Sequence, residues 1–323
     1  MRRSVLGTLI LILWASVAHA EEPAMRIGVL KFGTVSWELA VIAHHGLDRK
    51  AGFAIEEVEL ASNPATQIAL QAGRVDAVVS DWLFVSRQRA EGADWTFFPF
   101  TTALGSVVVP ASSTIHSVAE LKGKRLGIAG STIDKSWLIL RVLGETEARI
   151  DLDRDTEKYF GPPPLLEEQL KAGRLDAVLT FWPSAARLEA QGYRRVLSVE
   201  DALKKLGFAT RQPLVGYVVS ERWAKDHAAL VAGFQKARAE ADAILADSDA
   251  EWEWLAPRTE AHDKAELTRL RDAFRAGIPA HWGAEERLEA ERLYALLAKA
   301  GGTALVGPSP VLQPGTFLDS VRY

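Results

Sequence analysis

Leu70-Gln-Ala-Gly-Arg-Val-Asp-Ala-Val-Val-Ser-Asp-Trp82 and Leu170-Lys-Ala-Gly-Arg-Leu-Asp-Ala-Val-Leu-Thr-Phe-Trp182 align without a gap and are identical at eight of thirteen positions. The offset is one hundred residues, and Ser36-Trp37 and Ser136-Trp137 share it. Two separate segments repeating at one offset point to two similarly built units, not to a common helix-turn-strand chemistry met twice by chance. Each long segment reads as a helix end, a glycine that stops the helix, and an apolar strand.

Working outward, short apolar runs alternate with longer amphipathic stretches. Arg26 to Leu30 reads as a strand, Trp37 to Lys50 as a helix closed by Gly52, Ile55 to Leu60 as a strand, Pro64 to Gln71 as a helix and Ala77 to Ser80 as a strand. The alternation restarts with a strand over Arg125 to Ala129, a helix near Ser136 to Leu143, a strand near Glu157 to Phe160, a helix from Leu165 to Lys171 and a strand from Ala177 to Phe181. After Arg211-Gln-Pro213, Leu214 to Ser220 reads as a strand, and Glu221 to Ala300 is almost entirely helical in pattern. The expected class is α/β, with two lobes. The chain is expected to cross from lobe 1 to lobe 2 near Leu104 to Ser106, to return near Gln212 to Gly216, and to lay its C-terminal helices on lobe 1. Two crossovers then form a hinge. The expected boundaries are 21–104 and 213–323 for lobe 1 and 105–212 for lobe 2.

At the N-terminus, Arg2 and Arg3 precede an apolar run from Val5 to Val17 and then Ala18-His19-Ala20. That is a signal-peptide pattern over residues 1–20, with Sec export favoured over the twin-arginine route. The run is shorter than the roughly 20 residues that span a bilayer. Removing it takes away two arginines and leaves a net charge of about −6. Nucleic acid is an unsuited partner for such a chain, and a membrane-embedded form is not expected. There is no cysteine, which removes disulfides, thiolate metal sites, a cysteine nucleophile and a lipid-anchoring cysteine. The reading is a free periplasmic monomer.

The residues resemble the periplasmic binding proteins of the nitrate/sulfonate/taurine and thiamine-precursor group of ABC importers. The resemblance covers nearly all of the chain after the signal peptide. It is carried by Arg26-Ile-Gly-Val-Leu30 with its polar loop, Gly46-Leu-Asp-Arg-Lys-Ala-Gly-Phe53, Ala72-Gly-Arg-Val-Asp-Ala77, and Ser117-Val-Ala-Glu-Leu-Lys-Gly-Lys-Arg-Leu-Gly-Ile128. It implies a type II-like periplasmic-binding-protein fold, with two mixed sheets flanked by helices. It also implies binding without chemistry, no cofactor, and an inner-membrane ABC permease with its ATPase as partners.

Ligands of open α/β sheets bind beyond the carboxyl ends of the strands, at helix N-termini. Four segments fit: Lys31 to Trp37, Ser80 to Trp82, Gly130 to Trp137, and Thr180 to Pro183. Thr34, Ser36, Ser131 and Thr132, with Ser80 and Thr180, either cap helices or join exposed amides in holding an anion, with Lys31 and Lys135 supplying charge. Trp37, Trp82, Trp137 and Trp182 either line the cleft, with Phe160 and Phe181 as further walls, or pack beneath their helices. Facing indoles would suit a planar aromatic or heteroaromatic anion: an aromatic sulfonate or carboxylate, a pyrimidine- or flavin-like precursor, or pyrroloquinoline quinone. Small sulfonates and nitrate rank lower. Asp81 and Asp134 could instead receive a ligand amine or ring N–H, which would suit a zwitterion. Arg211 either clamps a carboxylate or ties the lobes together. His44 and His45 are adjacent and lack the i, i+4 spacing of a helical metal pair, so no metal site is expected. An enzyme on the same scaffold and a periplasmic sensor subunit remain as alternatives.

Overall fold

The computed structural model describes residues 23–30 and 33–323. The expected signal peptide and Lys31 lie outside the described residues. The first half opens with β1 (Ala24–Leu30), α1 (Val35–His44), α2 (Leu47–Lys50), β2 (Ala54–Leu60), α3 (Asn63–Gln71), β3 (Ala77–Asp81), α4 (Trp82–Ala90) and β4 (Trp95–Thr101). The chain then enters β5 (Gly105–Val109), β6 (Arg125–Ala129), α5 (Lys135–Leu143), α6 (Leu152–Asp155), β7 (Glu157–Gly161), α7 (Pro163–Lys171), β8 (Ala177–Phe181), α8 (Trp182–Ala190), β9 (Arg194–Ser198) and α9 (Val199–Lys205). It ends with β10 (Val215–Ser220), α10 (Glu221–Asp226), α11 (Ala228–Asp247), α12 (Asp249–Thr259), α13 (Lys264–Gly277) and α14 (Ala284–Val306).

Two five-stranded mixed sheets result, ordered β2-β1-β3-β10-β4 and β7-β6-β8-β5-β9. In each, three parallel strands are followed by an antiparallel strand that arrives from the other half of the molecule: β10 lies against β3, and β5 against β8. The same topology is thus drawn twice. The chain crosses over residues 102–104 and returns over 206–214.

The repeated Ala-Gly-Arg-x-Asp segment has one structural job in both halves. Gly73 and Gly173 follow α3 and α7 at φ +65° and +69°, a left-handed conformation that glycine takes without a Cβ clash. The aspartate then clamps the first strand. Asp76 accepts from the Arg26 backbone N–H at 2.8 Å and from its guanidinium at 3.0 and 2.6 Å. Asp176 does the same for Arg125 at 2.8, 3.1 and 2.7 Å. A fork on both carboxylate oxygens fixes orientation as well as distance.

Two expectations need correction. The helix expected over Trp37 to Lys50 is two helices, because Gly46 sits at φ +60° and ends α1. The C-terminal helices do not lie on the first sheet's half alone. α11 and α12 pack on α1, but α13 packs on α8, and α14 packs on both α4 and α5. One hydrophobic core consequently runs through both halves, from Val78, Trp82 and Phe97 through Leu293 and Leu297 to Leu126, Leu138 and Leu179. The apolar faces of α4 and α5 are buried by one shared helix rather than by two separate ones.

Candidate ligand cleft between the two sheets

A cavity of about 540 Å³ lies where β1, β3 and β8 end and α1, α4, α5 and α8 begin. Its polar lining includes Thr34, Ser80, Asp81, Lys135 and Ser136, and its apolar lining includes Val35, Phe100, Phe181, Trp182 and Leu214. Helix α3 adds Asn63, Thr66 and Gln67, one turn of polar residues, to the lining.

The two sides meet through an ion pair. Lys135 Nζ, at the first position of α5, lies 2.9 Å from Asp81 Oδ2, at the end of β3. Asp81 also caps α4, accepting from Phe84 N at 2.9 Å. Asp134 caps α5 through Ser136 N and Trp137 N at 2.9 and 3.3 Å. Burial pushes the Lys135 ammonium down, but Asp81 and Asp134 outweigh it and hold the group above its ordinary value. Burial lifts the Asp134 carboxyl above its usual range, against the opposing pull of Lys135 and the two backbone donors. The lining therefore sets one lysine against two aspartates, and an anion entering here competes with carboxylates already in place.

Of the residues singled out from sequence, Thr34, Ser80, Asp81, Asp134, Lys135, Phe181 and Trp182 line this cavity. Others do not. Ser36 donates to Gly33 O at 2.6 Å as a turn side chain. Ser131 and Thr132 are exposed outside the lining. Thr180 is buried within its strand at 1% exposure. Phe160 packs edge-on against Trp137 at 6.2 Å.

The tryptophans divide. Trp82 is 0% exposed and donates its indole N–H to Pro213 O at 3.1 Å, on the return crossover. Trp137 is 1% exposed. Neither lines the cavity: Trp82 is covered by Tyr294 of α14, ring centroids 6.3 Å apart, and Trp137 packs on Phe160. Trp37 is also buried, donating to Arg258 O at 3.2 Å, and stands edge-on to Trp182 at 5.9 Å. The facing pair expected to sandwich a ring is thus replaced by one half-buried indole, Trp182, backed by Trp37.

Arg211 lies elsewhere. It donates to Ala276 O at 2.5 Å and lines a second cavity of about 630 Å³. That cavity shares Ala103 and Trp182 with the first and is lined otherwise by Gly105, Ser106, Ser198 and the return crossover, where Glu200 is tied to Leu104 N at 2.8 Å. The smaller cavity takes in the carboxyl ends of β1, β3 and β8 together, with the Lys135–Asp81 pair. The smaller cavity is the candidate site.

Sequence reasoning did not single out Asn63, Thr66, Gln67, Phe100, Thr101 or Leu214. The α3 residues carried a signal, since the matching positions of α7 are Pro163, Leu166 and Glu167. A polar turn in one copy of a repeat against an apolar and proline-rich turn in the other marks a face with a different neighbour.

The family model described as NMT1/THI5 like matches residues 39–249, more than half of the chain. No curated protein matches it. The alkanesulfonate-binding protein SsuA from Xanthomonas axonopodis pv. citri, bound to MOPS, is similar with a TM-score of 0.68 and 23% identity, over 93% of this chain and 99% of that one. The periplasmic aliphatic sulphonate-binding protein SsuA from Escherichia coli is similar with a TM-score of 0.74 and 21% identity, over 93% of both chains. The desulfurization enzyme DSZB is similar with a TM-score of 0.58 and 18% identity, over 89% of this chain and 97% of that one. At these identities the likeness establishes the fold.

Proposed function

The chain belongs to the NMT1/THI5-like family, and from that premise we propose that it is a periplasmic solute-binding protein that carries a small organic ligand to an ABC importer. The ligand occupies the cavity between the sheets, and its carrier step is closure of the cleft without covalent chemistry. The two-sheet architecture with two crossovers supports this reading, as do the sulfonate-binding proteins among its structural neighbours.

The observation that carries the ligand class is the Lys135–Asp81 pair across the opening, with Asp134 beside it. A simple anion satisfies Lys135 and leaves two carboxylates facing it. A zwitterion satisfies both members of the pair, the sulfonate or carboxylate against Lys135 and the ammonium or N–H against Asp81, while Asp134 keeps its backbone donors. MOPS, held by one neighbour, joins a sulfonate to a ring amine. Trp182 and Phe181 supply an apolar wall for a flat or cyclic body. The ligand is therefore an organic sulfonate or carboxylate that also carries an N–H or ammonium group.

The test is calorimetric titration of the chain with matched pairs, each ring sulfonate or carboxylate with and without an amine. Saturable binding of the amine-bearing member, at least tenfold tighter than its amine-free partner and with that preference lost in Asp81→Asn, is the expected result. Equal affinity within every pair would return the ligand to a plain anion. Binding unchanged in Trp182→Ala and Lys135→Ala would move the site out of this cavity.

A further inference from the structure

The cleft uses the N-terminal end of α1, while the opposite end of that helix carries side chains with no part in it. His44 is the last residue of α1, and His45 is its C-cap. Neighbours on a continuing helix point about 100° apart, but α1 stops here, and both imidazoles turn to one carboxylate on α12. His44 Nδ1 lies 3.0 Å from Glu251 Oε1, and His45 Nε2 lies 3.0 Å from Oε2. One donor atom from each of the three residues falls within a span of 4.8 Å.

The surroundings are those of a built site. Glu251 has a side chain only 8% exposed, and its backbone is fixed by Ser248 Oγ at the N-cap of α12, 3.1 Å from Glu251 N. The imidazoles close over it from the solvent side, 39% and 36% exposed, so an ion has a path in. The His44 ring stacks on Trp254 with centroids 3.8 Å apart and planes at 11°, which sets its orientation. The carbonyl end of α1 adds partial negative charge where a cation would sit.

From this geometry we infer that His44, His45 and Glu251 form a site for a divalent transition metal of the zinc class. Two imidazole nitrogens and a carboxylate oxygen are the donors that Zn²⁺ accepts at about 2.0–2.2 Å, usually in tetrahedral geometry. Donors around such an ion stand about 3.3 Å apart, so the observed spacing needs only small rotations of the three side chains. A fourth position stays open toward solvent. The ion would fasten α12 to α1. α12 also carries Trp252, which packs on Trp37 at 5.9 Å, so metal would stiffen one wall behind the cleft without entering it.

The experiment uses untagged, chelator-stripped protein titrated with Zn²⁺ against a fluorescent zinc indicator, with a thermal melt at each point. One equivalent bound at micromolar concentration or tighter is expected, with a melting point raised by the metal and Ca²⁺ in excess failing to displace it. His44→Ala and His45→Ala should each weaken binding at least tenfold and abolish the thermal shift. Both side chains are partly exposed, so these variants should fold, which circular dichroism checks. Retention of wild-type affinity in the double variant, or no stoichiometric binding by the wild type, overturns the site.

Discussion

The two halves of this molecule share a frame and differ in what they do with it. Arg26 and Asp76 repeat as Arg125 and Asp176, with the same fork geometry. Just after the repeated Ser-Trp, however, Glu38 in α1 corresponds to Leu138 in α5. Glu38 is fully buried against Arg238 Nε at 3.0 Å and the Tyr217 hydroxyl, whereas Leu138 is fully buried among apolar side chains beneath α14. Trp82 lies in the core, and its counterpart Trp182 lines the cavity. Asp81 carries the ion pair, and its counterpart is Phe181. What is common belongs to holding strands together. What diverges follows from which C-terminal helix each copy meets.

The sharpest break of this comparison is the pair Trp82→Ala and Trp182→Ala. Losing the buried indole should cost about 3–5 kcal/mol of stability, read in urea unfolding, and should loosen the return crossover it bonds. Losing Trp182 should cost clearly less stability and lower ligand affinity at least tenfold in calorimetry. Equal stability losses would make the two positions interchangeable after all.

Next comes the cleft pair, which has no twin in the repeat because Val35 and Phe181 stand at the matching places. Lys135→Ala should weaken ligand about tenfold with a small change in melting temperature. An unchanged titration would take the ion pair out of recognition.

The charged core of the first half predicts a pH effect of its own. Burial, with the nearby Glu38 charge, pushes Asp242 from 3.8 up to about 8. The native state thus keeps a proton that the unfolded chain releases, so stability from this group is complete below pH of about 4 and lost as pH rises through about 8. Urea unfolding from pH 5 to 9 should show a decline of up to about 1 kcal/mol per pH unit relative to Asp242→Asn. Parallel profiles would mean that Asp242 is ionised in the native state.

The smallest effect is the one expected to be alike. Arg26→Ala and Arg125→Ala remove half-exposed forks, and each should lower stability only slightly in urea unfolding. Arg26 should be the costlier of the two, since Asp76 is 9% exposed and Asp176 31%.

The frame was legible because it is local. The bounds of β6 and β8 follow from short apolar runs ended by turn residues, and Gly73 and Gly173 mark their helix ends directly. β4 and β5 escaped that reading. Trp95 to Thr101 is buried on both faces and contains Pro99, so it has neither alternation nor an ordinary strand composition. The site was half legible for a different reason. Trp82 and Trp182 follow twelve residues identical at seven positions, and both open a helix directly after a strand, so the local pattern does not say which is covered. That is decided by Tyr294, more than two hundred residues from Trp82, whose ring lies 6.3 Å from it.

The crossovers are moored as well as short. Thr102 N and Oγ1 both donate to Gly277 O, at 2.8 and 3.2 Å, and Thr210 N donates to Glu289 Oε2 at 3.0 Å. Each connector is thereby tied to a helix that also spans the two halves. A body fastened in this way has few soft coordinates. The moored connectors also wall the cavity, at Thr101, Ala103, Leu104 and Leu214, so the bonds that hold the two halves together set the shape of the space between Lys135 and Asp81 as well.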